Sequence, residues 1–241
     1  MGTLPPQTAQ ERLSIGYALD HLWSATMGLP EGDSKEQPLR LVALLLDRER
    51  VPYALIGGVA VQLHSEEPRT TLDIDLAVQT YAHVPREALL GAGFEHTGRH
   101  AHSDNWRAPG PGPLKSRTAV QFSAEEDGLA EAVEHAIIVH LPGGVPLRVA
   151  TVANLIALKL RAAEEIERRL SKRMHDVADV LALTPSDQVV VDWVRLLQKQ
   201  ALHPIWMIWF SRSHTCVNSA SDSCPSECAL APRNRQSNDF G

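Results

Sequence analysis

Tyr53-Ala54-Leu55-Ile56-Gly57-Gly58-Val59-Ala60, followed downstream by Arg69-Thr70-Thr71-Leu72-Asp73-Ile74-Asp75-Leu76, is the stretch on which the fold turns. The run over residues 53–56 is short and apolar and stops at two glycines, the pattern of a strand meeting a turn. Residues 59–64 then have the length of a short helix, and Pro68 ends the segment because proline cannot continue one. Over residues 70–78, Leu72, Ile74, Leu76 and Val78 alternate with Thr71, Asp73, Asp75 and Ala77. A period of two marks a strand with one buried face. Asp73 and Asp75 therefore leave the same face, and Ile74 points the other way into the core.

Two carboxylates held one strand step apart repel each other unless a cation lies between them. Hard oxygen ligands suit Mg²⁺, and a pair of such ions can clamp a triphosphate and activate an attacking oxygen. Upstream, glycines let a backbone come close to a phosphate, and the N–H groups at a helix start favour anions. One end of the stretch thus suits a phosphate and the other suits a metal bound to that phosphate. A lone Asp-x-Asp is usually a solvated face and a lone Gly-Gly usually a turn, so the combination carries the reading.

Outward from this stretch, residues 38–49 read as a helix with Leu39, Val42, Leu45 and Leu46 on one face. Residues 1–37 read as a helical lead-in with a polar break. Residues 85–90 read as a helix, and residues 96–117, rich in His, Gly and Pro, read mostly as loop. A strand over 118–123, a helix over 127–136, and strands over 136–141 and 147–150 around Pro142-Gly143-Gly144 follow. From Thr151, Leu155, Leu158, Ala162, Ile166, Leu170, Val177 and Leu181 keep helical spacing. That block reads as two helices with a charged joint near 168–173. Pro185 breaks it, and Ser186 or Asp187 can cap one more helix to about Leu202. The fold class is α/β (α+β), a small mixed sheet core followed by a helical carboxyl-terminal portion. The expected segments are a lead-in (1–37), the core (38–150), the helical portion (151–203) and a tail (204–241), disordered by composition or the product of a frameshift.

The 241 residues suffice for a hydrophobic core, and 44% hydrophobic with 22% charged residues is ordinary for a globular protein. A formal net charge of −6 excludes non-specific polyanion binding by the chain as a whole. The amino-terminal stretch lacks a signal-peptide pattern, and the apolar burst at 205–210 is too short for a bilayer. Cys216, Cys224 and Cys228 all fall in the tail, so the core has no disulfide framework. These features point to a cytoplasmic protein without a membrane partner.

The motif Ala54-Leu55-Ile56-Gly57-Gly58-Val59-Ala60 with Leu72-Asp73-Ile74-Asp75-Leu76 resembles the DNA-polymerase-β-like nucleotidyltransferase superfamily, and within it the AbiEii-type nucleotidyltransferases of bacterial toxin–antitoxin systems. Fourteen residues separate Gly58 from Asp73, toward the long end of that family's spacing. Leu155-Ile156-Ala157-Leu158-Lys159-Leu160 and Lys172-Arg173-Met174-His175-Asp176-Val177-Ala178-Asp179 look like the family's late helical block. The resemblance covers about residues 38–183. It implies Mg²⁺-dependent transfer of a nucleoside monophosphate from an NTP, with Asp73 and Asp75 binding the metal. It further implies that Gly57, Gly58 and Lys159 meet the triphosphate and that Asp176 sits near the site. A tRNA 3′ end as acceptor and a cognate antitoxin protein as partner are implied in the same way. The superfamily often adds a third carboxylate from a later strand. Here that strand offers Gln121, which brings no charge, with Glu125 or Glu126 as substitutes from the adjacent turn.

Plainer readings stand beside these. Lys159 can be a lysine snorkelling at the core edge. Asp176 and Asp179 can form a solvated face paired with Lys172 and Arg173. Arg69 can contact phosphate or cover the strand end. His96, His100, His102 and Asp104 allow zinc but lack its usual spacing, and the three tail cysteines do not form a paired C-x-x-C. The mixed charges over 161–173 suit a helix surface before an RNA-facing patch. The functional alternatives are an aminoglycoside-type small-molecule nucleotidyltransferase, a catalytically degenerate nucleotide-binding or partner-binding protein, and an interaction domain that binds no nucleotide.

Overall fold

In the computed structural model the alternation containing the two aspartates forms a strand inside a seven-stranded mixed sheet. The structure describes residues 8–26, 34–65, 70–71, 73–100 and 102–184. Arg69, Leu72, the helix expected after Ser186, the tail and its cysteines lie outside the described residues.

Strand β1 (Tyr53–Ile56) runs into helix α3 (Gly57–His64), and β2 (Asp73–Val78) returns antiparallel to β1. Strand β5 (Ala119–Ser123) pairs parallel with β2 on its other side. With β3 (Glu95–His100), β4 (Ser103–Arg107), β6 (Ile137–Leu141) and β7 (Val145–Val149), the order across the sheet is β3-β4-β5-β2-β1-β7-β6. Strands β6 and β7 form a hairpin at one edge, with β7 parallel to β1. Their connection runs through Gly143 and Gly144, both at positive φ.

The apolar alternates of neighbouring strands fall in rows, as strand register requires. Ile74, Val120 and Trp106 form one row and Leu76 and Phe122 belong to the next, all fully buried or nearly so. Helix α2 (Glu36–Arg48) buries Leu39, Val42, Leu45 and Leu46, the stripe legible in its sequence, and packs on β7. Helix α5 (Leu129–Glu134) covers β2, and α1 (Ala9–Thr26) lies along α3. Helices α6 (Val152–Glu164) and α7 (Leu170–Leu183) pack on each other and on α3. Thr151 caps α6 by accepting the Asn154 N–H at 3.2 Å. The joint between α6 and α7 spans 165–169, earlier than the expected 168–173.

Residues 96–117 depart from their reading as loop. They contain most of an antiparallel hairpin, β3 (Glu95–His100) with β4 (Ser103–Arg107), which extends the sheet beyond β5. The edge strand β3 has no apolar alternation to betray it, because most of its residues are exposed. In β4 one of the two buried alternates is a charge, Asp104, with no accessible surface. Burying a carboxylate requires partners. Arg86, on helix α4 (Arg86–Gly91), and His96 supply them at 2.8 and 2.7 Å. His102 pairs instead with Glu126 at 2.9 Å, so His96 and His102 serve separate carboxylates. Among the described residues no group of three or more His, Cys, Asp and Glu side chains could hold a metal ion. No helix among them is long and apolar enough to cross a membrane.

Candidate active site

Asp73 and Asp75 sit at the start of β2, both half-buried, while Ile74 between them is fully buried on the opposite face. Ile56, the last residue of β1, is the register partner of Asp75, so the chain turns into α3 beside that carboxylate. Gly57 makes the turn at φ +67°, in the left-handed region that favours glycine. A Cβ at Gly57 would overlap the Asp75 carboxylate, and one at Gly58 would lie 2.5 Å from the Thr71 hydroxyl. The two glycines are thus required first by the approach of Asp75 and Thr71 to the start of α3. The Gly58 N–H donates to Asp75.

Electrostatics mark the pair as short of positive charge. Burial, then the neighbouring Asp73 charge, pushes the Asp75 carboxyl up to about 6. Lys159, the Gly58 N–H and Arg168 oppose that rise. Burial also raises Asp73, against the favourable charges of Arg107, Lys172 and Lys35. A carboxylate whose ionised form is penalised in this way gains from a bound cation. Two carboxylates are the number that Mg²⁺ commonly takes from protein when water and substrate phosphates complete its shell, so the residues present fit such an ion.

Lys159 is clasped. Its Nζ lies 2.8 Å from both Asp176 and Asp179, and Arg168 Nε donates to the other Asp176 oxygen at 3.0 Å. Asp176 and Asp179 are buried, so this face of α7 is not the solvated one that its charge pattern also allowed. The cluster delivers the Lys159 and Arg168 charges toward Asp75. We expect Lys159→Met to leave two buried carboxylates short of a cation and to cost on the order of 3 kcal/mol of stability. A thermal melt against Lys159→Arg checks this, because the conservative variant restores the charge.

Gln121 is the register partner of Asp75 on β5 and shares its face of the sheet. In the turn that follows β5, Glu125 sits at φ +65° and pairs with Arg99 at 3.9 Å. Glu126 is held by His102. Sequence reasoning passed over Arg107, Arg168 and Lys35. Arg107 was hidden in the missed hairpin, and the other two act through contacts distant in sequence.

Comparisons with known proteins give the fold and the family. In a structure of an antigenic nucleotidyltransferase-like protein from Paracoccidioides brasiliensis, the matching chain is 17% identical with a TM-score of 0.54. The match covers 80% of this chain and 95% of that one. A structure of ANT(2″)-Ia in complex with adenylyl-2″-tobramycin matches at 14% identity and TM-score 0.42, covering 72% of this chain and 95% of that one. A putative nucleotidyltransferase from H. pylori matches at 13% and 0.38, covering 79% and 99%. No curated protein sequence matches this one. The model of the family described as "Nucleotidyl transferase AbiEii toxin, Type IV TA system" matches residues 40–202, from within α2 through the Gly57-Gly58 turn, the Asp73–Asp75 strand and the α6–α7 block, and the chain belongs to that family.

Proposed function

We propose that this chain transfers a nucleoside monophosphate from an NTP to an acceptor hydroxyl, with Mg²⁺ held by Asp73 and Asp75. The observation that carries the reading is the packing of the Gly57-Gly58 turn directly against the Asp75 carboxylate. It sets an anion-favouring helix start beside a pair of carboxylates short of positive charge. When bound, Mg²⁺ would neutralise developing charge on the phosphates and orient them.

The remaining work falls to the chain. The start of α3 would receive the triphosphate, and Arg69, from its place just before β2 in the sequence, would contact it. Lys159, steered by Asp176 and Asp179, would supply charge behind Asp75 as a positioning residue. The acceptor oxygen bonds to the α-phosphorus as the bridging bond to the β-phosphate breaks. Pyrophosphate leaves with the electron pair, and the hydroxyl proton passes to solvent water, because Gln121 accepts none. The family's description names a type IV toxin–antitoxin system, which supports an antitoxin protein as the partner. The acceptor we infer is the 3′ end of a tRNA, and the compartment the cytoplasm.

Incubation with α-labelled NTPs, Mg²⁺ and bulk tRNA tests this. Label on the tRNA 3′ end supports the reading, and label on an aminoglycoside alone would overturn the acceptor. Gln121 favours a second reading, a degenerate member that binds NTP without turning it over. Tight binding of Mg²⁺ and NTP without pyrophosphate release would establish that one.

A further inference from the structure

The face of the sheet that bears Asp73 and Asp75 continues across β5 onto the β3–β4 hairpin. Register sets its rows. Asp73 is level with Ala119, and Ala119 is level with Arg107. Asp75 is level with Gln121, and Gln121 with Asn105. Arg107 therefore faces Asp73 over the small side chain of Ala119, two strand spacings away, about 10 Å. Strand alternation sends the neighbouring residues Asp104 and Trp106 to the buried opposite face.

Arg107 is half-buried and anchored. Its Nη1 donates to the Arg117 carbonyl at 2.8 Å, and Arg117 pairs with Glu95 at 2.7 Å. A guanidinium has five N–H donors, so one held at a corner keeps others for a phosphate. Glu95 is level with Arg107 on β3 and is already matched by Arg117. This ledge presents a net cation and neutral hydrogen-bonding groups, the wrong lining for a polycationic acceptor.

The direction of the reaction assigns the ledge. The Gly57-Gly58 turn lies on the β1 side of β2, and the ledge lies on the β5 side. In-line displacement places the attacking oxygen opposite the departing pyrophosphate. If the triphosphate rests at the turn, the acceptor approaches over β5 and β4.

We infer that Arg107 is the acceptor-side specificity residue, holding a backbone phosphate of a single-stranded polynucleotide end while its terminal hydroxyl reaches the Asp73–Asp75 pair. This rests on the nucleotidyl-transfer reading above.

The test measures binding without turnover. Wild-type protein, Arg107→Gln and Arg107→Lys are titrated with a short fluorescent oligoribonucleotide bearing a free 3′-hydroxyl, over a range of salt. Affinity for ATP with Mg²⁺ is measured in parallel. Glutamine removes the charge and leaves a neutral polar side chain. Arg107→Gln should weaken RNA binding about tenfold and reduce the magnitude of the log–log salt slope by roughly 0.7, the value for one single-strand phosphate contact. Arg107→Lys should keep the slope, and in Arg107→Gln the affinity for ATP with Mg²⁺ should change far less than the affinity for RNA. RNA affinity and slope unaffected in Arg107→Gln would overturn the assignment. So would a loss confined to ATP affinity, which would put Arg107 on the triphosphate side. Failure of the transfer reading itself would show separately, as wild-type protein that releases no pyrophosphate.

Discussion

Asp75→Asn should abolish nucleotidyl transfer and, in metal-free buffer, make the protein more stable. The loss follows from removing one of the two charges that would hold the metal, and a fall of about 10³-fold or more is expected. The gain follows from the environment of Asp75. Burial and the Asp73 charge hold its carboxyl at about 6, above the ordinary carboxylate value. A group with a raised folded-state pKa binds its proton more tightly in the folded protein. Its contribution to stability is fully present below the unfolded value and is lost as pH rises through about 6. Above that pH the wild-type site stores repulsion that an amide does not. Melts in chelator should show a melting temperature falling between pH 4 and pH 7 in the wild type and falling less in Asp75→Asn. At pH 7 the variant should melt higher by about 3 °C. A variant that is both inactive and less stable would mean that Asp75 serves the fold.

Gly57→Ala should lower both stability and activity. An alanine at φ +67° costs on the order of 1–3 kcal/mol in backbone strain alone. The added methyl also lands on the Asp75 carboxylate, which must move. Displacing a reacting group by about 1 Å can cost on the order of 10²-fold in rate. We expect a melting temperature lower by about 4–8 °C and transfer reduced about 10²-fold. Steady-state rates should fall in kcat, and far-UV circular dichroism should stay unchanged. Full activity in Gly57→Ala would contradict the close approach of the turn to Asp75.

The parts of the fold that could be read from sequence are those where burial is one-sided and apolar. Ile74, Leu76 and Val78 betray β2, and Leu39, Val42, Leu45 and Leu46 betray α2. The β3–β4 hairpin could not be read, because β3 is an edge strand with little to bury and β4 buries Asp104 where an apolar residue would signal a strand. Its partners Arg86 and His96 come from elements whose pairing no local period reveals. The candidate site divides in the same way. Asp73, Asp75 and the glycines lie in one contiguous stretch. Lys159 and Asp176 were visible one by one, yet the clasp that joins them with Asp179 and Arg168 depends on how α6 folds back on α7. Gln121 could be named from its strand, and only register sets it beside Asp75.

If Asp73 and Asp75 carry the transfer, pyrophosphate release depends on both carboxylates. Pyrophosphate release from each of the four NTPs, with Mg²⁺ and bulk tRNA, tests it most directly when wild type is compared with Asp73→Asn/Asp75→Asn. Release by the wild type that disappears in the folded double variant is the expected result. Equal release by both proteins, or none from a wild type that binds NTP, would contradict it.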